Sequence, residues 1–510
     1  MLARTHTFTL EGLETSHVTV EVDIRPGLPA FTIVGLADAA VREARERVRA
    51  AILNSGFEFP GRRITANLAP ADVPKAGPGL DLAIACGVLA ASSQLPTDLL
   101  ESHALFGELA LDGQVRACSG TLAVAQATQR AGLAALVVAG SRAREAQLVA
   151  GVDVAVAEHL SSSVRILCGG APDPPPNRPR PAERSTATLQ TEPDLEQVLG
   201  QHHAVRALVI AAAGGHSMLL KGPPGTGKTM LAHRMASILP PLSPQEAVEV
   251  TQIHGFADDR VDVLASDRPF RAPHHSITAA GLIGGAQRGH VGEAVLAHNG
   301  VLFLDELSEF PRPTLEALRQ PLEDGRVAIA RARHSVVYPA RFMFIAATNP
   351  CPCGYLGEGD RCRCSEAELA RHRRRLSGPL LDRIDLLINL GNRRDRGLGQ
   401  TPLTSSGRAR ERVLLARERQ AARLRGGDPA CNARMDLRSL ERHARLDDRG
   451  EELLRGARER GLLSARGQNR ALRVARTIAD LNGSDRVRAQ DLGGALAMNP
   501  EASLRDTRAV

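Results

Sequence analysis

The sequence holds no tryptophan and two tyrosines, and aromatic residues make up 3% of its 510 positions. A protein that grips nucleic acid by stacking bases needs aromatic platforms, so stacking is excluded as a main binding mode. Contact to a sugar-phosphate backbone fits such a composition better. Lysine is as scarce: Lys75, Lys221 and Lys228 are the only ones, and arginine carries nearly all the positive charge. The net charge of +7 permits a polyanionic partner without requiring one. Long apolar runs are missing too. The best, 207–220, is broken by Gly214, Gly215 and His216, so no membrane span is expected. Residues 1–14 lack the apolar core of a signal peptide, and eight cysteines in so long a chain indicate reduced thiols or metal ligands, not disulfides. A cytoplasmic protein of three or four domains is the expectation.

What is present centres on residues 217–229. An apolar run, Ser217 to Lys221, leads into Gly222-Pro223-Pro224-Gly225-Thr226-Gly227-Lys228-Thr229, and a helical pattern follows as far as Pro240-Pro241. Strand, glycine-rich loop and helix in this order form a phosphate cradle, because the glycines let successive backbone N–H groups turn inward toward anionic oxygens. Lys228 is placed to reach the β- and γ-phosphates of a bound ATP, and the Thr229 hydroxyl to ligate Mg²⁺. Downstream, Gly300 to Leu304 reads as a buried strand ending in Asp305-Glu306. Asp305 is expected to hold Mg²⁺ through its water shell, and Glu306 to orient and deprotonate the attacking water. A third strand, Phe342 to Ala347, ends in Thr348-Asn349, and an amide there can orient the water from the γ-phosphate side. Directly after it, Cys351, Cys353, Cys362 and Cys364 put four thiols in 14 positions. Two close pairs around a short loop suit tetrahedral Zn²⁺; the one-residue spacing is tighter than usual, and reduced thiols on a surface loop are the other reading.

Those motifs occur in the order found in AAA+ ring ATPases, which this chain resembles. In such rings an arginine at the position of Arg383, in Gly378-Pro379-Leu380-Leu381-Asp382-Arg383, reaches the neighbouring subunit's γ-phosphate; a salt bridge to Asp382 or Asp385 is the alternative role. Ser464 caps a helix with an apolar face through Val474, Ala475 and Ile478. Near its start Arg466 matches the sensor 2 arginine, with Arg470 one turn later as the fallback. Between Asp305 and Asn349 a helix over 313–323 precedes a β-hairpin with Arg331 and Arg333 at its tip, and a Gly-rich insert around 284–292 carries Arg288. Both insertions resemble those of the branch that holds the MCM helicases and magnesium chelatase. The resemblance makes Arg331, with Arg333 and Arg288, the candidates for DNA phosphate contacts. In the ATPases of this kind the stretch 194–201 lies over the adenine, with plain helix packing as the rival reading.

The front of the chain, residues 1–170, alternates strands (18–24, 31–34, 63–68 and a strand and turn at 107–113) with helices (41–53, one opened by 75–82 and running through 91, and 122–131) and resembles the Lon-protease-type domain of magnesium-chelatase-like ATPases. Peptidases of that type carry a Ser after a Gly-Pro and a Lys in a later helix. Here Gly79 follows Gly77-Pro78, and Leu122 or a neighbour takes the lysine's place, so a non-proteolytic scaffold is expected, with Lys75 facing solvent. The expected fold class is α/β. It comprises this Lon-protease-like domain (1–170), a proline-rich linker (171–192), an AAA+ P-loop NTPase core with a parallel sheet (193–395) and a C-terminal helical lid (396–510). Residues 401–510 hold 23 arginines against 15 acidic residues, which fits a lid or a basic outer surface. The front domain, His274-His275, Ala297-His298-Asn299-Gly300 and the paired cysteines are similar to the ComM/YifB group of magnesium-chelatase-like proteins. The resemblance implies a homo-hexameric, ATP- and Mg²⁺-dependent DNA translocase promoting branch migration as transforming DNA is integrated, alongside recombination or DNA-processing proteins. The alternatives are a chelatase-like motor that remodels a protein partner and a nucleotide-gated scaffold.

Overall fold

A computed structural model of the chain describes residues 2–174, 194–257, 263–285, 291–330, 335–375, 378–391, 404–424 and 431–501. The linker expected at 171–192 lies almost wholly outside the described residues, as do Arg288, Arg331 and Arg333. No helix among the described residues is long and apolar enough to cross a membrane. The chain forms two compact units.

The first unit comprises the described residues of 1–185, 247–265 and 330–338. Strands β1 (Leu2–Glu11), β2 (Glu14–Arg25), β3 (Ala30–Val34), β4 (Arg63–Ala69) and β5 (His103–Phe106) come first, then a small antiparallel ladder of β6 (Glu108–Leu109) and β7 (Val115–Arg116), then β8 (Ala135–Val138) and β9 (Asp153–Val156). Seven of them make one mixed sheet in the order β3-β4-β2-β1-β5-β8-β9. The period of two along β2 turns Val18, Val20, Val22 and Ile24 inward. The helix Asp81–Ala91 is buried along its whole length, which is why it carries no polar face.

Two residues of this unit bear on its chemistry. Lys75 is buried, not solvent-facing as its type suggests, with its ammonium on the Pro70 carbonyl. The expectation failed because a lone lysine is placed by long-range packing, which local sequence does not encode. Gly79 presses on the Phe106 ring so closely that a Cβ there would lie 2.4 Å from it, and Leu122 is buried in the same unit. A serine side chain does not fit at that spot without displacing the ring.

The second unit holds the remaining strands, apart from most of β14: β10 (Met218–Lys221), β11 (Phe270–Arg271), β12 (Val301–Leu304), β13 (Arg326–Ala330), β14 (Ser335–Pro339), β15 (Met343–Thr348) and β16 (Leu386–Asn389). β13 and β14 form the expected hairpin. The other five make a sheet in the order β11-β12-β15-β10-β16, parallel throughout. β12 and β15 are buried at every position, as a parallel sheet covered on both faces requires. The register pairs Lys221 with Thr348 and Leu304 with Ala346, so the strand ends leading to the phosphate loop, Asp305 and Asn349 lie side by side. Ligands of open parallel sheets bind at this edge, beyond the strands' carboxyl ends.

The helix expected over 313–323 is interrupted, running Arg312–Ala317 and then Arg319–Asp324. Pro321 supplies the reason: it has no N–H for the Ala317 carbonyl, and its ring crowds that carbonyl. Beyond residue 404 the described chain is mainly helical. Ser464 caps the helix Ala465–Leu481 by accepting from the Gly467 amide at 3.0 Å, and Ala471, Val474, Ala475 and Ile478 enter the core against the helix His202–Gly214. Part of the arginine surplus is used inside this region. Arg417 donates to the Ala212 carbonyl at 2.9 Å, and Arg423 and Arg476 both pair with the buried Asp480.

Candidate active site

The phosphate loop bends through left-handed backbone at Gly225 (φ 77°) and Gly227 (φ 82°), conformations that glycine adopts without a Cβ penalty. Thr226 turns its hydroxyl inward to the Pro223 carbonyl at 2.8 Å, and a Cβ on Gly222 would collide with the Leu390 carbonyl oxygen. Lys228 donates to the carbonyls of Gly222 (2.7 Å) and Pro223 (2.9 Å) and to Asn349 Oδ1 (3.0 Å). The strand-end amide is thus in direct contact with the cradle lysine, 121 residues away in sequence. Burial lowers the pKa of Lys228, and the nearby Asp305 and Glu306 carboxylates oppose that shift.

Thr229 Oγ1 donates to Asp305 Oδ2 at 2.6 Å. Two hard oxygen donors at one point are the chemistry that suits Mg²⁺, which takes one or two carboxylates and keeps waters and phosphates for its other positions. The residues present therefore fit the ion. Glu306 is exposed and stands in the left-handed region (φ 50°, ψ 50°), unusual for a non-glycine residue and a conformation concentrated at functional sites. Its carboxylate faces His275, with Nδ1 3.8 Å from Oε2, and the His274 and His275 rings meet at a tilt of 36° with centroids 4.0 Å apart. With Thr229, Asp305 and Phe303 they line an open cleft of about 330 Å³. The pairing of His275 with Glu306 has no signature in the sequence beyond the His-His doublet itself. Nor does the bond from Gln201 Nε2 to the Thr226 carbonyl (2.6 Å), which lays the end of the 194–201 stretch on the cradle.

Arg383 is three-quarters or more enclosed and pairs with Glu323, not with Asp382 or Asp385. Asp385 is engaged elsewhere, with His216 Nδ1 at 3.2 Å. Burial lowers the Arg383 pKa, and repulsion from Arg319 and Arg466 lowers it further, so three guanidiniums share one neighbourhood. Arg319 was not singled out by any motif. Arg466 is exposed at its helix start, whereas Arg470 is buried and committed. Its Nη1 donates to the carbonyls of Leu381 (3.3 Å), Asp382 (2.6 Å) and Ile384 (3.3 Å), and its Nη2 pairs with Glu501 at 2.5 Å.

The four cysteines converge. Their sulfurs all lie within 4.8 Å of one another, with Cys351–Cys362 at 3.8 Å, Cys353–Cys362 at 3.7 Å and Cys351–Cys353 at 3.3 Å. Backbone amides at Tyr355 and Arg363 pull the Cys353 thiol down to about 6.

Three models of the magnesium chelatase subunit ChlI match the chain in succession: subunit ChlI of Mg-chelatase over residues 20–142, magnesium chelatase subunit ChlI over 194–397, and its C-terminal part over 403–499. The competence protein ComM of Haemophilus influenzae is 42% identical over 494 residues, 95% of each chain. The uncharacterized protein YifB of Salmonella typhimurium is 43% identical over 499 residues, 97% of this chain and 96% of that one. The chain belongs to the ComM/YifB family of magnesium-chelatase-like proteins. The mixed α/β architecture with its parallel sheet and many helices fits the magnesium-chelatase-like AAA+ fold.

Proposed function

We propose that this protein is an ATPase that assembles from identical subunits, as a hexamer, and drives DNA branch migration when foreign DNA is integrated in transformation or recombination. The observation that carries the ATPase is the meeting of Lys228 with Asn349 and of Thr229 with Asp305 at one sheet edge. In this reading the loop Gly222 to Thr229 holds the triphosphate, and residues 194–201 cover the base. Mg²⁺, held by Thr229 and Asp305, supplies charge neutralisation when bound. Glu306 takes the proton of the attacking water at its carboxylate, positioned by His275. Asn349 orients that water and keeps Lys228 directed at the phosphates. Arg383, flanked by Arg319 and Arg466, serves the nucleotide of the adjacent subunit, leaving Glu323 to do so.

DNA rests on a separate support: the similarity along the full chain to a protein named for competence, and the hairpin formed by β13 and β14. Arg331, Arg333 and Arg288 contact phosphates in this reading. The N-terminal unit is a Lon-like scaffold without proteolytic activity, since Gly79 and Leu122 stand where the paired serine and lysine would be needed. The four cysteines hold a structural Zn²⁺. The names of the matching family models favour one second reading, a motor that remodels a protein partner for metal insertion. ATP turnover of the assembled protein measured with and without single-stranded or forked DNA separates the two. Stimulation that is lost in Arg331→Ala is expected. Unstimulated turnover, unchanged in that variant, would favour the protein-remodelling reading.

A further inference from the structure

The cysteine loop lies directly against the phosphate cradle. Gly354, between the two pairs, has φ 84°, and a Cβ built on it would sit 2.6 Å from Pro224 Cδ of the cradle. No side chain can separate the two loops there. Cys351 is buried two positions beyond Asn349. At the other end, Cys364 is followed by Ser365, whose hydroxyl and amide engage Glu368 to start the helix Glu366–Arg375. That helix returns His372, whose Nε2 lies 3.1 Å from the Asn349 carbonyl. Both ends of the cysteine loop therefore close on Asn349, and Asn349 touches Lys228.

The sulfur positions suit one ion. Zinc–thiolate bonds of about 2.3 Å in a tetrahedron place the sulfurs roughly 3.8 Å apart. Two of the distances above match this, and all exceed the roughly 2.05 Å of a disulfide. Four thiolates on Zn²⁺ carry a net negative charge, and the Lys221 ammonium stands close enough to be attracted by Cys351. Lys221 is also the last residue of the strand that enters the cradle. The tyrosine in the loop is pinned as well, with Arg361 4.2 Å above its ring.

We propose that Cys351, Cys353, Cys362 and Cys364 bind one Zn²⁺ and that the closed loop braces the phosphate cradle and Asn349, so that zinc occupancy sets the affinity for nucleotide. The inference rests on reading 222–229 as the nucleotide site and the four thiols as a zinc site. Zinc binding displaces the thiol protons to solvent, and no oxidation is involved.

The test uses the full-length protein purified under reducing conditions, elemental analysis for zinc, and titration with a fluorescent ATP analogue. Wild-type protein should hold about one zinc per chain, and removing it with a mercurial and a chelator should weaken nucleotide binding on the order of tenfold, restored by added Zn²⁺. Gly354→Ala leaves every ligand in place. It should keep its zinc and still bind nucleotide more weakly, because the new methyl displaces Pro224. Absence of zinc in the wild-type protein overturns the metal site. Zinc-free protein with unchanged nucleotide affinity overturns the brace. Wild-type protein that holds zinc but binds no nucleotide refutes the ATPase reading instead, so the failures are distinguishable.

Discussion

Two arginines one helical turn apart, Arg466 and its fallback Arg470, differ sharply in the fold. Arg470 is 4% exposed and spans three carbonyls around Arg383 together with the Glu501 carboxylate. Arg470→Ala would remove the guanidinium from these carbonyls and leave the partly buried Glu501 carboxylate without its cation, with the Ser464 amide and hydroxyl still donating to it. Removing one partner of a buried, hydrogen-bonded ion pair costs about 3–5 kcal/mol. For a unit of this size about 2 °C of melting temperature follows each kcal/mol, so the transition should fall by roughly 8 °C. Arg470→Lys should recover only part, because one ammonium cannot reproduce the guanidinium's fork of donors. Arg466→Ala, at an exposed site, should melt within about 1 °C of wild type while ATP turnover of the assembled protein drops. Scanning calorimetry with a parallel ATPase assay reads both quantities. Equal melting losses in Arg466→Ala and Arg470→Ala, or an unaltered transition in Arg470→Ala, would refute the division into one structural and one functional arginine.

Further expectations concern the reaction. Glu306→Gln should bind nucleotide with near-normal affinity while turnover falls about 10²- to 10⁴-fold, the range for loss of a general base. His275→Ala should lower kcat in the same direction by less and leave KM nearly unchanged; a full loss of nucleotide binding in either variant would contradict the roles given. Mixing Lys228→Ala subunits with Arg383→Ala subunits should restore turnover that neither shows alone, since a mixed seam can pair an intact cradle with an intact arginine. No recovery at any ratio would count against an active site shared between subunits.

Much of the site was legible because its chemistry is contiguous. Glycines, Lys228 and Thr229 stand within eight positions, Asp305 and Glu306 adjoin, and Asn349 ends a run of apolar residues, so local spacing alone places each at a strand's end. The same holds for the cap at Ser464 and for the cysteine pairs, whose proximity is guaranteed by a short loop. In the first 170 residues the strands near 18–24, 31–34 and 63–68 followed from a period of two, whereas β1, β5, β8 and β9 of the same sheet were not anticipated.

What tertiary structure decided are the contacts between residues far apart in the chain. Asn349 on Lys228, His275 against Glu306, Arg383 on Glu323 instead of its sequence neighbours, and Gly354 on Pro224 all depend on which strands lie side by side. The burial of Lys75, and the grouping of the described residues of 247–265 and 330–338 with the first unit, belong to the same class. A residue's type and spacing govern the backbone nearest to it, within a turn of helix or a few positions of strand. Its burial and its partners are properties of the packed sheet edges and helix faces, which bring segments more than a hundred residues apart into one hydrogen-bond length.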